Sequence, residues 1–356
     1  MTTTPSKTAL LALAAKAKDN PRALLRIAQT LRRSGHAAEA LSLVDQIPPR
    51  TGRDPEFDAL LREFTSTGVP KWHLSIVRDA VRNAAYDAAL RRAVKPGMRV
   101  LEIGTGSAIL AMMAARAGAG EVITCEMNPT VAQTARAIVA RNGFSDRIRV
   151  IPKHSDALDV DADLGGRLDL LVSEIVSNDL LAEHVLPAHE RAVRDLLKPG
   201  APVIPASGRI RVALADMSRK LKPAIAEVDG FDLSLIETWR SPVRTFRSDD
   251  PDLVLRSAPS DLFEFDFGSA VPSAEETRSL VLESTGGRID GIVQWIDLAM
   301  DAVGRYENAP APGARSCWDL RFYAFAQPVE TAPGQRLRVA GQHDRRRVLV
   351  WRDGGP

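Results

Sequence analysis

Cysteine is nearly absent: the 356 residues include two, Cys125 and Cys317, far apart in the chain. With no CxxC pair and no disulfide framework in the spacing, neither a disulfide scaffold nor a cysteine metal site is expected. No metal is expected, and a reducing, cytoplasmic location fits best. Aromatic residues make up 5% of the chain. An excess of one charge is also missing. Lys and Arg total 47 against 45 for Asp and Glu, a formal charge of +2, which removes the electrostatic case for nucleic acid as the main partner. No apolar run approaches the roughly 20 residues of a membrane span. The apolar stretch from Leu10 to Ala15 is cut short by Lys16 and Lys18, so it reads as neither a signal peptide nor an anchor.

The chain is 45% hydrophobic and 26% charged, and long enough for two domains around a sizeable core. Residues 1 to 6 read as a disordered leader, and Thr8 to Phe64 is helical in pattern. Asn20-Pro21 opens one helix, Ser34-Gly35-His36 ends it, and a second helix carries Ala40, Leu41, Leu43 and Val44 before Pro48-Pro49 stops it. Proline suits a first helical turn and glycine a helix end. The pair resembles one tetratricopeptide repeat, and a helical hairpin capping its own domain fits the same pattern.

After a helical lead-in from Pro70 to Val94, strands and helices alternate. Strands are expected at Arg99–Ile103, Glu121–Glu126, Ile148–Lys153 and Leu168–Ser173, with helices at Ala108–Ala117, Thr130–Asn142 and Leu186–Leu197. Such alternation implies a parallel sheet with helices on both faces. Past Pro199 the pattern changes to short β-type runs, among them Arg209–Leu214, Leu262–Phe267, Gly291–Leu298 and Leu320–Phe325, the mark of an antiparallel, barrel-like unit. The expected organisation is a short all-α extension (residues 1–69), a Rossmann-like α/β domain (70–200) and an antiparallel β-barrel-like domain (201–356), divided near Gly200 to Pro205.

The first strand runs into Gly104-Thr105-Gly106-Ser107, where glycine lets the backbone turn tightly and approach a ligand. A dinucleotide fingerprint requires G-x-G-x-x-G, but the sixth position is Ile109. Glu102, two residues before the first glycine, gives instead the Glu-x-Gly-x-Gly form of S-adenosyl-L-methionine-dependent methyltransferases. Glu126, at the end of the second strand, can accept hydrogen bonds from both ribose hydroxyls. The fourth strand ends in Ser173-Glu174, and Glu183 follows nine positions later. Two convergent carboxylates suit a planar guanidinium, which offers five donors in a fixed fork.

Here the sequence resembles the protein arginine N-methyltransferases, within the seven-strand class I methyltransferases. The segment from Ser173-Glu174 to Glu183 is similar to their double-glutamate loop. Trp72-His73, Asp79, Arg82 and Tyr86 resemble their cofactor-covering helices. Gly143-Phe144-Ser145-Asp146-Arg147-Ile148 and Lys153-His154-Ser155 resemble the branch that carries two catalytic modules per chain in animals. The resemblance covers residues 70 to 345 and is fainter in the barrel, at Gln294-Trp295-Ile296-Asp297-Leu298 and Gly341-Gln342-His343-Asp344.

The resemblance implies that His73, Arg82, Gly104, Gly106, Glu126 and Ser155 hold the cofactor, with Arg82 at its carboxylate and Ser155 near the adenine. It implies that Glu174 and Glu183 clamp the guanidinium of an arginine in a protein or peptide, that Trp318 borders the acceptor, that S-adenosyl-L-homocysteine is the product, and that the chain forms a homodimer. The family's Thr-His-Trp loop maps onto Ser316-Cys317-Trp318, so the histidine that contacts the acid matching Asp79 is replaced by Cys317, and that link is expected to be missing. The third glycine of the first motif is replaced by Ala108. A dimerisation arm is expected between Met217 and Trp239, where Pro223 and Gly230 interrupt a helical pattern. On spacing alone His73 fits a helix surface, Trp295 and Trp318 fit barrel core, His154 reads as structural, and Cys317 as a small buried side chain with no paired base. The replacement at Cys317 keeps two alternatives open: a methyltransferase for a small molecule or peptide natural product, and a catalytically weak binding module.

Overall fold

The computed structural model describes residues 5–47, 55–221 and 225–354. Four helices open the chain: α1 (Lys7–Lys16), α2 (Pro21–Arg33), α3 (Ala37–Asp45) and α4 (Pro55–Ser66). Asn20 caps α2 by accepting from the Ala23 amide at 3.0 Å, with Pro21 in the first turn, as the sequence signals required. Leu24, Leu25, Ala28 and Leu31 of α2 pack on Ala40, Leu41, Phe57 and Phe64 in a core of their own. The expected two-helix hairpin is therefore extended on both sides, by α1 and by α4. Arg32 ties α4 down, donating to the Phe64 carbonyl at 2.6 Å with its guanidinium over the Phe64 ring. The closing Pro48 and Pro49, and the first four residues of the expected leader, lie outside the described residues.

Helices α5 (Trp72–Ile76) and α6 (Ala80–Ala93) lead into the parallel sheet. Its strands are β1 (Arg99–Ile103), β2 (Glu121–Cys125), β3 (Ile148–Ile151), β4 (Leu170–Ser173) and β5 (Val203–Ile204), connected through α7 (Ile109–Arg116), α8 (Pro129–Arg141) and α9 (Val185–Arg191). The spatial order is β3-β2-β1-β4-β5. Every pairing in this sheet is parallel. The order reverses between β1 and β4, and ligands bind doubly wound sheets at the carboxyl ends beside that switch. Register does the rest: Ile103 lies beside Cys125 on one side and Ser173 on the other. The next residue of each strand is therefore Gly104, Glu126 and Glu174, delivered to one rim by strand geometry alone.

The parallel sheet stops at five strands, in place of the seven of the expected class. From β5 the chain passes directly into β6 (Ser207–Asp216), which pairs antiparallel with β13 (Gly287–Ala299). Two short arm strands follow, β7 (Glu227–Val228) and β8 (Phe231–Asp232), then β9 (Val243–Phe246), β10 (Val254–Leu255), β11 (Ser260–Asp266) and β12 (Glu276–Glu283). After β13 come β14 (Arg305–Glu307), β15 (Leu320–Thr331), β16 (Arg336–His343) and β17 (Val348–Arg352). The larger antiparallel sheet runs β10-β6-β13-β15-β9, with β12-β16-β17 as a second sheet. Trp295 joins Ala213, Leu320 and Phe322 in a barrel core. The arm departs from the helical pattern expected of it. Val228 pairs with Phe231 across Gly230, whose φ of +81° suits the turn, and a single 3-10 segment follows at Ser234–Trp239. Pro223 lies outside the described residues.

Gly208 on β6 marks where barrel meets loop. A Cβ there would meet Phe267 Cζ at 2.8 Å and Leu180 Cδ2 at 2.9 Å. Gly208→Ala should therefore cost about 1–3 kcal/mol of overpacking and displace Leu180, in the loop between the two glutamates. Urea unfolding and methyl-transfer rate should both register the change, and a variant of unaltered stability would show that the gap is not filled.

Candidate active site

The turn after β1 is built for close approach. Gly104 has φ +85°, and a Cβ there would meet Ile175 Cγ2 at 2.7 Å. The Gly104 and Thr105 amides both donate to the Cys125 carbonyl, each at 3.1 Å. Ala108, where the family pattern has glycine, retains a left-handed φ of +62°, a conformation L-residues adopt at a cost. Glu126 binds both sides of the rim, accepting from Gly106 N at 3.2 Å and Asn128 N at 2.8 Å. Beneath the turn, Glu102 accepts from Ala111 N at 3.2 Å. Burial pushes its carboxyl up to about 8.

The expected cofactor fits these groups. Glu126 keeps lone pairs beyond its two backbone donors for ribose hydroxyls. His73 is drawn to the same rim: its Nδ1 is buried with no hydrogen-bond partner among the described residues, burial lowers its pKa, and Glu126 opposes that shift. Ser155 sits buried just past β3. His154 is exposed and accepts from Asp156 N at 3.2 Å.

Arg82 lies at the centre, 2% exposed. Asp79 caps α6 by accepting from Arg82 N at 2.9 Å. The Arg82 guanidinium reaches Glu174 at 2.8 Å, Nη2 to Oε2. This pairing, between an expected cofactor ligand and an expected acceptor ligand, was not read from the sequence. Tyr86, one turn further along α6, donates to the Ser173 carbonyl at 3.0 Å. Glu174 Oε1 and Arg82 Nε are buried with no partner among the described residues. Burial raises the Glu174 carboxyl to about 7, Arg82 pulls it back, and the charge of Glu183 pushes it further up. Glu183 is also raised to about 7, by burial and then by Asp179 and Glu126. Its residue surface is open to solvent, however, so water screens its shift, and Glu174 is the costlier group to ionise.

The loop between the glutamates is held by the barrel. Trp318 is buried and donates its indole N–H to the Val176 carbonyl at 2.9 Å. The Asp319 amide donates to Asn178 Oδ1 at 3.2 Å, and Arg321 pairs with Asp179 at 2.7 Å. Asp179 in turn accepts from Ser177 Oγ, Leu181 N and Ala182 N. Leu180, at φ +72°, tucks over Gly208. Arg321 was missed in the sequence, where the only signal was an arginine alternating with apolar neighbours in a strand.

One expectation is corrected. The link to Asp79 is not lost with the histidine. The Tyr306 hydroxyl donates to Asp79 Oδ2 at 2.8 Å, and the Cys317 backbone amide donates to the same atom at 2.9 Å. Cys317 contributes its main chain, and burial keeps its thiol protonated by raising its pKa.

The family profile "Ribosomal protein L11 methyltransferase (PrmA)" matches residues 88–228, and a tetratricopeptide repeat profile matches residues 8–63. An "Arginine N(omega)-methyltransferase" of Streptomyces achromogenes subsp. streptozoticus is 37% identical over 309 residues, covering 85% of this chain and 83% of the relative. "Protein arginine N-methyltransferase 7" of Danio rerio is 31% identical over 308 residues, covering 76% of this chain, which spans only 44% of that relative's length. Among solved structures, the Trypanosoma brucei PRMT1 enzyme-prozyme heterotetrameric complex with AdoHcy aligns with a TM-score of 0.69 at 24% identity, over 78% of this chain and 89% of that one. Arabidopsis thaliana protein arginine methyltransferase 10 aligns at 0.63 and 22%, over 75% and 86%.

The electrostatics give a pH test. A guanidinium clamp needs ionised carboxylates, so kcat/KM should rise as pH passes upward through about 7, where Glu174 loses its proton in the free enzyme. Stability runs the other way. The folded pKa lies above the ordinary 4.5, so the contribution is whole below 4.5 and is lost as pH climbs through about 7. Glu174→Gln should flatten both profiles there, and a kcat/KM that falls over this range would contradict the assignment.

Proposed function

We propose, from the premise that this chain belongs to the protein arginine N-methyltransferase family, that its barrel-held glutamate pair presents an arginine side chain for methylation. The enzyme is an S-adenosyl-L-methionine-dependent methyltransferase acting on a guanidino nitrogen. The observation that carries the site assignment is Glu174 Oε1, a buried carboxylate oxygen without a partner among the described residues, on the same sheet rim as Glu126 and joined to Glu183 by a braced loop. When bound, the cofactor supplies a methyl already activated on a sulfonium. The protein's task is then placement and desolvation.

A guanidinium is protonated in water and poorly nucleophilic. Glu174 and Glu183 take N–H donors from two of its nitrogens and draw the positive charge toward them, leaving the remaining terminal nitrogen to attack. With the cofactor bound, this placement would let that nitrogen take the methyl from the sulfonium, the N–C bond forming as the S–C bond breaks to leave S-adenosyl-L-homocysteine, and Glu174, Glu183 or water would take the extra proton. Arg82 shares Glu174 at 2.8 Å and stands ready for the cofactor's carboxylate, so one residue registers both reactants.

The acceptor is an arginine within a protein or peptide, supported by the Danio rerio relative. A second reading, free arginine or another small guanidino compound, is favoured by the Streptomyces relative, whose name specifies arginine and most of whose length this chain covers. A cytoplasmic location accords with the two free cysteines. A homodimer is supported by the arm: Phe231 is 70% exposed, and Leu235 and Trp239 are each 81% exposed, more apolar surface than a solitary chain usually leaves uncovered in one place. Light scattering at micromolar concentration should give twice the chain mass, and Trp239→Ala should shift it toward one chain; a monomeric unmodified protein would contradict this.

Glu183→Gln is the cleanest test of the clamp, because Glu174→Gln also strands the buried Arg82 charge and destabilises the fold. Turnover of Glu183→Gln should fall on the order of a hundredfold or more, while cofactor affinity stays near the unmodified value. Radiolabelled methyl transfer to arginine peptides and to free arginine, measured side by side, decides the acceptor. Full activity in Glu183→Gln would remove the clamp from the account.

A further inference from the structure

Asp79 is 6% exposed, yet three donors converge on its carboxylate. Oδ1 takes the Arg82 amide, and Oδ2 takes the Tyr306 hydroxyl and the Cys317 amide. The hydroxyl belongs to a directed chain. With its proton given to Asp79, Tyr306 accepts from Ser316 Oγ at 2.7 Å, and Ser316 Oγ accepts from Trp318 N at 3.0 Å. Each oxygen donates once and accepts once, so the proton order from Trp318 to Asp79 is fixed. The Tyr306 ring also packs edge-on to Trp318, centroids 5.3 Å apart, and Trp318 grips the double-glutamate loop at Val176. Tyr306 thus touches both the cap of the helix carrying Arg82 and the residue that clamps the loop carrying Glu174 and Glu183.

We propose that Tyr306 is a positioning residue for methyl transfer: its hydroxyl docks the barrel on Asp79 and so sets the placement of Arg82 against Glu174. The role rests on the arginine-methylation reading above. It also stands where the family's histidine would, its hydroxyl reaching Asp79 Oδ2 at 2.8 Å. Burial raises the phenol's pKa, which keeps the donor in place across the working range.

The test is a double-mutant cycle with Tyr306→Phe, which removes only the hydroxyl, and Asp79→Asn, which retains an oxygen to cap α6. Tyr306→Phe should lower kcat on the order of tenfold, leave the acceptor KM within about twofold, and shift Tm by only a few degrees. The double variant should be no slower than Asp79→Asn alone, because that change already breaks the Tyr306 contact along with the one from the Cys317 amide. Losses that multiply in the double variant would overturn the proposal, as would unaltered kcat in Tyr306→Phe or a loss explained wholly by unfolding. Methyl transfer by the unmodified enzyme separates the two levels: if it is present while Tyr306→Phe is unimpaired, only the role of Tyr306 fails; if it is absent, the reading beneath it fails as well.

Discussion

A guanidinium and a carboxylate 2.8 Å apart, both nearly closed to water, govern the arrangement of this enzyme. Stripping the two charges of solvent costs several kcal/mol each, and mutual attraction returns that only when geometry is good. The pair of Arg82 and Glu174 is therefore poor evidence for stability and good evidence for specification. It forces α6 to cross the carboxyl end of β4 at one height, a crossing that Tyr86 reinforces at the Ser173 carbonyl. Neither member is fully satisfied: Arg82 Nε and Glu174 Oε1 have no partner among the described residues. In the proposed function those atoms are the ones left for the two reactants, an anionic carboxylate and a cationic guanidinium. A site that holds an ion pair half-finished is prepared for ligands that complete it.

Two kinds of element divide the labour of keeping it so. The parallel sheet supplies position by register, since strands ending level on β1, β2 and β4 deliver Gly104, Glu126 and Glu174 to one rim. Register cannot reach Glu183, which lies on a loop. The barrel fixes it, through Trp318, Asp319 and Arg321 on Val176, Asn178 and Asp179, and through the gap at Gly208. The barrel is in this sense part of the active site without contributing a reacting group. Asp179 concentrates the effect, because one buried carboxylate accepts from two amides and a hydroxyl of its own loop and pairs with Arg321.

What could be read in the sequence was what local rules govern. Alternating strands and helices, the Glu102-x-Gly104-x-Gly106 turn, and acidic residues at strand ends each follow from a few consecutive side chains, and the structure has them where expected. The contacts that tune the site were illegible for a physical reason. Tyr306 and Asp79 are 227 positions apart, and nothing in the local pattern of Arg305–Glu307 distinguishes a phenol aimed at a helix cap from one in barrel core. Substitution of the histidine by Cys317 pointed to a lost link. The compensation comes from Tyr306 on β14 and from the Cys317 main chain, and only tertiary packing exposes it. The arm misled for the opposite reason: its helical periodicity is weak, Gly230 permits the turn of a hairpin, and the hairpin prevails over local propensity.

The central claim is that Glu174 and Glu183 together hold an acceptor guanidinium beside a cofactor anchored at Glu126. A crystal structure with S-adenosyl-L-homocysteine and an arginine-containing peptide bound, repeated with free arginine, tests it directly. The account predicts the ribose on Glu126 and guanidinium nitrogens within about 2.7–2.9 Å of a carboxylate oxygen on each of the two glutamates. An acceptor bound with its guanidinium away from either glutamate, or a cofactor seated elsewhere than at Glu126, would contradict it.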